Sequence, residues 1–192
     1  LVKYDLEKLR NNFSREDFVN DFSSFPGFWK YQYLLPLIKQ SSIIDLGEVI
    51  TPLVRISKSQ NLFIKDEGRL PTGSFKARGL ALGVARAKEL GVKKIAIPTN
   101  GNAGAALAAY ATASGIRSYV FCPKDTPSIN IKEAEIQGAK TYTIDGLIND
   151  CGKIVFEGKD KVGWFDVSTL KEPYRIEGKK TMGLELAEQL NW

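Results

Sequence analysis

The sequence predicts an α/β fold, an open parallel sheet with helices on both faces. Three observations carry this. Beyond residue 75, helical periodicity alternates with short apolar runs over short links, the pattern of βαβ units. Glycines stand where helices should stop, at Gly91 and Gly115. The 192 residues are 43% hydrophobic and 26% charged, enough apolar material for one α/β domain with flanking structure.

In residues 1–20, Leu6, Leu9 and Phe13 have helix-like spacing, which predicts an amphipathic segment without evident chemistry. Residues 22–37 hold Phe25, Phe28, Trp29, Tyr31 and Tyr33, broken by Pro26, Gly27 and Pro36, and predict a short helix or turn packed through its aromatics. Residues 50–54 and 62–65 look like short strands. A helix over 75–90 places Leu80, Val84 and Ala87 on one face. An apolar strand over 95–97 leads into an alanine-rich helix over 102–114, whose small side chains let it lie close to a sheet or a ligand. Strands then follow at 119–122, 141–144 and 164–167, and helices at 128–137, 147–159 and 175–190. Right-handed crossovers make such a sheet parallel and place a ligand beyond the carboxyl ends of its strands. Those ends are residues 98–100, 123–124, 145–146 and 168–169.

Composition removes several kinds of chemistry. No histidine is present, so a Ser-His-Asp or Cys-His nucleophile system and any histidine-containing zinc site are excluded within the chain. Cys122 and Cys151 lack metal-knuckle spacing and read as small buried hydrophobes, and no metal is expected. The formal charge of +5 is scattered along helical patterns rather than gathered with aromatics, so no nucleic-acid partner is expected. No apolar run approaches the ~18 residues of a membrane helix, and no signal-peptide pattern opens the chain, so a soluble cytoplasmic protein is expected. Leu1 is no start methionine and residues 184–192 break off straight after a helical pattern, which suggests a fragment.

Two glycine-punctuated turns precede helical patterns: Lys65 to Gly79, and Thr99-Asn100-Gly101-Asn102-Ala103-Gly104. Gly68 and Gly73 have P-loop spacing, but Ser74 and Phe75 follow in place of Lys and Ser/Thr, and the second turn lacks dinucleotide-fingerprint spacing. Lys76 could form a Schiff base if its amine is free, which a helix start, partial burial and neighbouring Arg78 would favour; it could equally be a solvent-facing lysine of a first turn. Asn102 is either a plain N-cap or a donor to a ring oxygen, with backbone amides of 99–103 cradling a carboxylate. Arg175 opens the last predicted helix, where the dipole disfavours a cation; it could hold a phosphate with Ser168 and Thr169, or form a surface ion pair with Glu172 or Glu177.

Three separated stretches closely resemble threonine synthases, pyridoxal-phosphate enzymes of the tryptophan-synthase-β-like fold: Pro71-Thr72-Gly73-Ser74-Phe75-Lys76-Ala77-Arg78-Gly79, Thr99 to Gly104, and Ser168-Thr169-Leu170-Lys171-Glu172-Pro173-Tyr174-Arg175-Ile176-Glu177-Gly178-Lys179-Lys180-Thr181. The resemblance covers residues 46–192 well. It implies a fold type II enzyme with pyridoxal 5'-phosphate as cofactor, converting O-phospho-L-homoserine and water to L-threonine and phosphate. Lys76 would hold the cofactor covalently and move protons, and Asn102 would contact its phenolic oxygen. Thr99, Asn100 and Ala103 would surround the substrate carboxylate, and Ser168, Thr169 and Arg175 the substrate phosphate.

The resemblance also implies a division of the chain, with an incomplete second domain. Residues 1–78 would hold an N-terminal segment and part of the larger domain, 79–174 the smaller α/β domain, and 175–192 a helix leading back to the larger one. The enzymes it resembles are commonly homodimers. Val49 and Ile50 stand where the family has a glycine and a polar residue, which puts the contacts of that loop in question. The glycine-rich loop for the cofactor phosphate lies past Trp192 in the family, so this chain alone is expected to bind the cofactor weakly and to show no useful turnover. A serine or threonine dehydratase or a β-replacement synthase is the alternative within the fold, and a non-catalytic module the alternative outside enzymes. Arg175 with the 177–181 run speaks against a dehydratase, which has no substrate phosphate to hold.

Overall fold

Strands rich in apolar residues and helices closed by left-handed glycines form as the periodicity predicts. The computed structural model describes residues 3–12, 14, 16, 25–37, 39–57 and 59–191. Phe13 and Phe22 lie outside the described residues. Helix α1 (Leu6–Asn12) buries no side chain. The aromatic segment forms a 3-10 helix, Gly27–Leu34, with Phe28, Trp29 and Tyr31 buried. Strands β1 (Leu53–Ser57) and β2 (Leu62–Lys65) pair antiparallel as a separate two-stranded sheet.

The second sheet holds β3 (Lys94–Pro98), β4 (Arg117–Pro123), β5 (Lys140–Ile144) and β6 (Phe165–Asp166), all parallel in the order β5-β4-β3-β6. Its helices are α2 (Lys76–Glu89), α3 (Ala103–Ala113), α4 (Ser128–Ile136), α5 (Ile148–Val162) and α6 (Pro173–Gln189). One face packs Ile95, Ile97 and Val120 into a core with Leu80 and Leu107. The other packs Ala96, Phe121 and Trp164 with Cys151 and Val155 of α5. Helices therefore cover both faces, and both cysteines are buried. The chain steps outward from β3 to β5 and then returns to β6 on the other side of β3. The order reverses between β3 and β6, the switch point at which open sheets form a ligand crevice.

Gly91 and Gly115 adopt φ of +74° and +70° after α2 and α3, as their position at helix ends predicted. Several boundaries differ from expectation by one to three residues, and hydrogen bonds explain two of them. β1 starts at Leu53 rather than residue 50, because Thr51 is drawn off by Glu185, whose Oε2 accepts from both its N–H and its hydroxyl at 3.1 Å. Helix α6 starts at Pro173, because the Glu172 carboxylate accepts from the amides of Tyr174 (2.7 Å) and Arg175 (2.8 Å) and caps it there.

Helices α2 and α6 cross almost backbone to backbone. A Cβ on Gly178 would lie 2.3 Å from the Arg78 carbonyl oxygen, and one on Gly79 would lie 2.6 Å from that of Arg175. Only glycine permits this approach, and it brings the start of α2 beside the first turns of α6. Among the described residues no helix is long and apolar enough to cross a membrane, and no group of three or more acidic, cysteine or histidine side chains could hold a metal.

The loop ahead of β1 is tied to α3 through a buried carboxyl. Glu48 is 1% exposed; the Tyr110 hydroxyl donates to its Oε1 at 2.7 Å and the Leu46 N–H to its Oε2 at 3.0 Å. Burial pushes its pKa from the ordinary 4.5 up to about 7, against the opposing pull of the Tyr110 hydrogen bond. The folded chain thus keeps a proton that the unfolded chain has released between those values. Stability is lost as pH rises through that window. Glu48→Gln should therefore gain on the wild type by about 1–3 kcal/mol between pH 5 and pH 8, read from urea midpoints.

Candidate active site

A strained turn sets up the first element of the site. Thr72 (φ +63°) and Gly73 (φ +65°) are both left-handed, and for a β-branched residue this costs about 1–3 kcal/mol. The turn reverses the chain into α2, whose first residue is Lys76. Its N–H donates to Ser74 Oγ at 3.4 Å, and its ammonium stands 4.4 Å from the centroid of the Phe75 ring. Burial first, and Arg175 second, pull its pKa below the ordinary lysine value.

Arg78 does not contribute to that depression, contrary to the sequence reading. Its guanidinium is fully buried and occupied elsewhere, by Glu67, Glu185, Thr51 and Thr181. The cation that acts on Lys76 comes from α6 instead.

The second element is the link from β3 to α3. Thr99 Oγ1 accepts from the Gly101 N–H at 3.2 Å, and the Asn130 side chain donates to the Asn100 carbonyl at 3.1 Å, which fixes the loop. Asn102 precedes α3 but is not the plain cap that its position suggested. Its own backbone is already helical (φ −53°, ψ −15°), and its side chain makes no cap hydrogen bond. An N-cap needs extended backbone to turn its oxygen back onto the helix, so this carboxamide is left uncommitted at the helix start. Ala103 is buried behind it. A Cβ on Gly104 would be 3.3 Å from Thr99 and Val120 side chains, so α3 sits close over the strand ends.

Lys76, Thr99, Asn100, Asn102, Ala103 and Thr169 line one cavity of about 220 Å³. It lies at the carboxyl ends of β3 and β6, where the topology places a crevice. A wider groove of about 730 Å³, which shares Pro98, Ile148 and Thr169 with it, runs over α5.

Ser168 and Arg175 sit deeper. Ser168 is 4% exposed, and both its N–H (2.8 Å) and its hydroxyl donate to Asp166 Oδ1. Arg175 is no surface ion pair: it is 2% exposed, with Nη1 donating to the Val167 carbonyl. Its Nε is buried without a partner. Glu172 binds backbone amides, and Glu177 pairs with Lys180 at 2.9 Å. Burial pulls the Arg175 pKa down, with Glu172 and Asp166 only partly opposing it. The sequence reading gave no role to Ile148, which lines the cavity, and counted Lys179, one helical turn after Arg175, only as part of the 177–181 run.

Residues 44–191 match the family described as "Pyridoxal-phosphate dependent enzyme". The chain belongs to that family. It is 36% identical over 199 residues to the threonine synthase of Methanocaldococcus jannaschii, a match covering 100% of this chain and 48% of that one. With the threonine synthase of Methanosarcina acetivorans the identity is 34% over 198 residues, covering 100% and 45%. The chain thus spans about half the length of the curated relatives it matches. Among solved structures, diaminopropionate ammonia lyase from Escherichia coli superposes with a TM-score of 0.70 over 81% of this chain and 50% of that one. At 22% identity that likeness establishes the fold alone, that of fold type II pyridoxal-phosphate enzymes.

Proposed function

We propose that this chain is the lysine-bearing half of a pyridoxal-phosphate enzyme that converts O-phospho-L-homoserine and water to L-threonine and phosphate. The observation that carries the reading is the shared cavity. It joins a partly buried lysine of lowered pKa to an uncommitted asparagine at a helix start, at the switch point of the sheet. Those residues fit the cofactor. A lysine whose pKa is lowered gives up its proton more readily for Schiff-base formation, and a carboxamide not used in capping can donate to the ring oxygen.

When bound, the cofactor supplies an electron sink that stabilises carbanion character in the substrate. Lys76 Nζ would hold it covalently and would carry protons to and from substrate carbons, and its lowered pKa makes its own proton easier to release. Asn102 would orient the ring, and Thr99, Asn100 and Ala103 would surround the substrate carboxylate at the amino-terminal end of α3, where helix-start amides attract anions. Thr169 and Arg175 would hold the phosphate, which leaves from the γ carbon with the electrons of the C–O bond; the γ carbon then takes up a proton, and water afterwards adds its hydroxyl at the β carbon and gives up its proton. Ser168, with its hydroxyl donated to Asp166, holds the turn that presents Thr169.

We also assign residues 79–174 to the smaller domain, with 1–78 and 175–192 going to the larger. In support, all four parallel strands fall within 94–166, and the β1–β2 pair turns Val54, Ile56, Leu62 and Ile64 outward, an apolar face suited to a further layer. On this division the chain alone retains the cofactor weakly. In the intact enzyme, turnover of O-phospho-L-homoserine should release phosphate and L-threonine in equal amounts, with L-threonine itself left intact. Preferential deamination of threonine would instead mark a dehydratase.

A further inference from the structure

The close crossing of α2 and α6 gathers three cations. Gly79 and Gly178 let the helices touch, and Lys76, Arg175 and Lys179 stand within one turn of that crossing. Arg175 and Lys179 are four residues apart on one helix, a spacing at which like charges destabilise. Lys179 is partly buried, and among the described residues no acceptor is bonded to its ammonium. Burial pulls its pKa down, and Arg175 and then Lys76 pull it further. Glu172 and Asp166 act on Arg175 only through space and offset its burial in part, their hydrogen bonds going to amides and to Ser168, while Glu177 pairs with Lys180. A buried guanidinium Nε with no partner completes the picture of a cationic seat that lacks its anion.

We infer that Lys179 is a second cation of the substrate-phosphate seat, joining Arg175 in binding a phosphate monoester dianion. The inference rests on the reading of Arg175 given above and extends it to a residue one turn on. Two cations match a dianion where one does not, and a compact ammonium complements a guanidinium that is fixed by its bond to the Val167 carbonyl. The seat would favour a phosphorylated substrate over the neutral hydroxy amino acid, whose hydroxyl would leave both charges uncompensated.

The test uses the intact holoenzyme with Lys179→Gln, Lys179→Met, Lys179→Arg and Arg175→Gln, inorganic phosphate as the probe, and far-UV circular dichroism to verify folding. Both neutral Lys179 variants should weaken phosphate binding, measured by titration and as competitive inhibition, by roughly 10- to 100-fold, and Lys179→Arg should restore most of it. KM for O-phospho-L-homoserine should rise in step, while the visible band of the bound cofactor is kept. Unchanged phosphate affinity in a folded neutral variant overturns the inference. So does a visible band lost in parallel with phosphate affinity, since Lys179 would then serve the cofactor's own phosphate. If Arg175→Gln alone weakens phosphate binding, Lys179 is excluded and the substrate reading stands. If neither position matters, the substrate reading falls as well.

Discussion

Replacing Arg78 with alanine is expected to destabilise the fold by about 3–5 kcal/mol, the range for removing one partner of a buried ion pair. The guanidinium has no exposed surface and uses every donor. Nε donates to Glu67 Oε2 at 2.6 Å. Nη1 donates to Glu185 Oε1 at 2.7 Å and Thr181 Oγ1 at 3.0 Å. Nη2 donates to Glu67 Oε1 at 2.8 Å, Glu185 Oε2 at 2.9 Å and Thr51 Oγ1 at 3.1 Å. Lys65 adds a second cation, 2.7 Å from Glu185 Oε2. Burial pushes the Glu185 pKa up, but its bonds to Arg78 and Lys65 outweigh that and leave it lowered. Without the guanidinium, two carboxylates face one lysine across a hole. Arg78→Lys should recover only part of the loss, because one ammonium cannot reproduce a two-sided fork.

This network joins α2, α6 and the turn after β2, and it begins two residues after Lys76. Arg78 therefore ties down the first turn of α2, which carries Lys76. Urea denaturation at neutral pH measures the loss, and a cost below about 1 kcal/mol would contradict the account of this core.

The alternation of strands and helices was legible because each signal is local: apolar runs, alanine stretches and glycines needing positive φ. The β3–α3 loop was legible as a strand end of the α/β sheet, whereas the local pattern left Lys76 and Asn102 open between a structural and a functional reading, and the family resemblance singled them out. The charges of Arg78 were misread for want of distance information. Its partners Glu67, Thr181 and Glu185 stand 11, 103 and 107 residues away, and nothing in its neighbourhood announces them. Thr51 was drawn into a predicted strand for the same reason, its binding by Glu185 spanning 134 residues. The start of α6 was legible but overlooked, because Glu172-Pro173 is a capping acid followed by proline. Burial of Arg175 depends on a glycine-mediated helix crossing, which no local pattern states.

The central claim concerns one nitrogen. Lys76 opens α2 in a half-buried position, its pKa lowered by burial and by Arg175, in the same cavity as Asn102. On the function proposed above, Lys76→Ala would remove both the covalent anchor and the proton carrier of the intact enzyme, and the loss of proton transfer alone would lower the rate by about 10²–10⁴-fold. The most direct measurement is borohydride reduction of the intact enzyme loaded with pyridoxal phosphate, followed by peptide mass spectrometry. A stable pyridoxyl adduct on Lys76, together with loss of the visible band in Lys76→Ala, is the result expected. An adduct on a different lysine, or a visible band that survives in Lys76→Ala, would contradict the account.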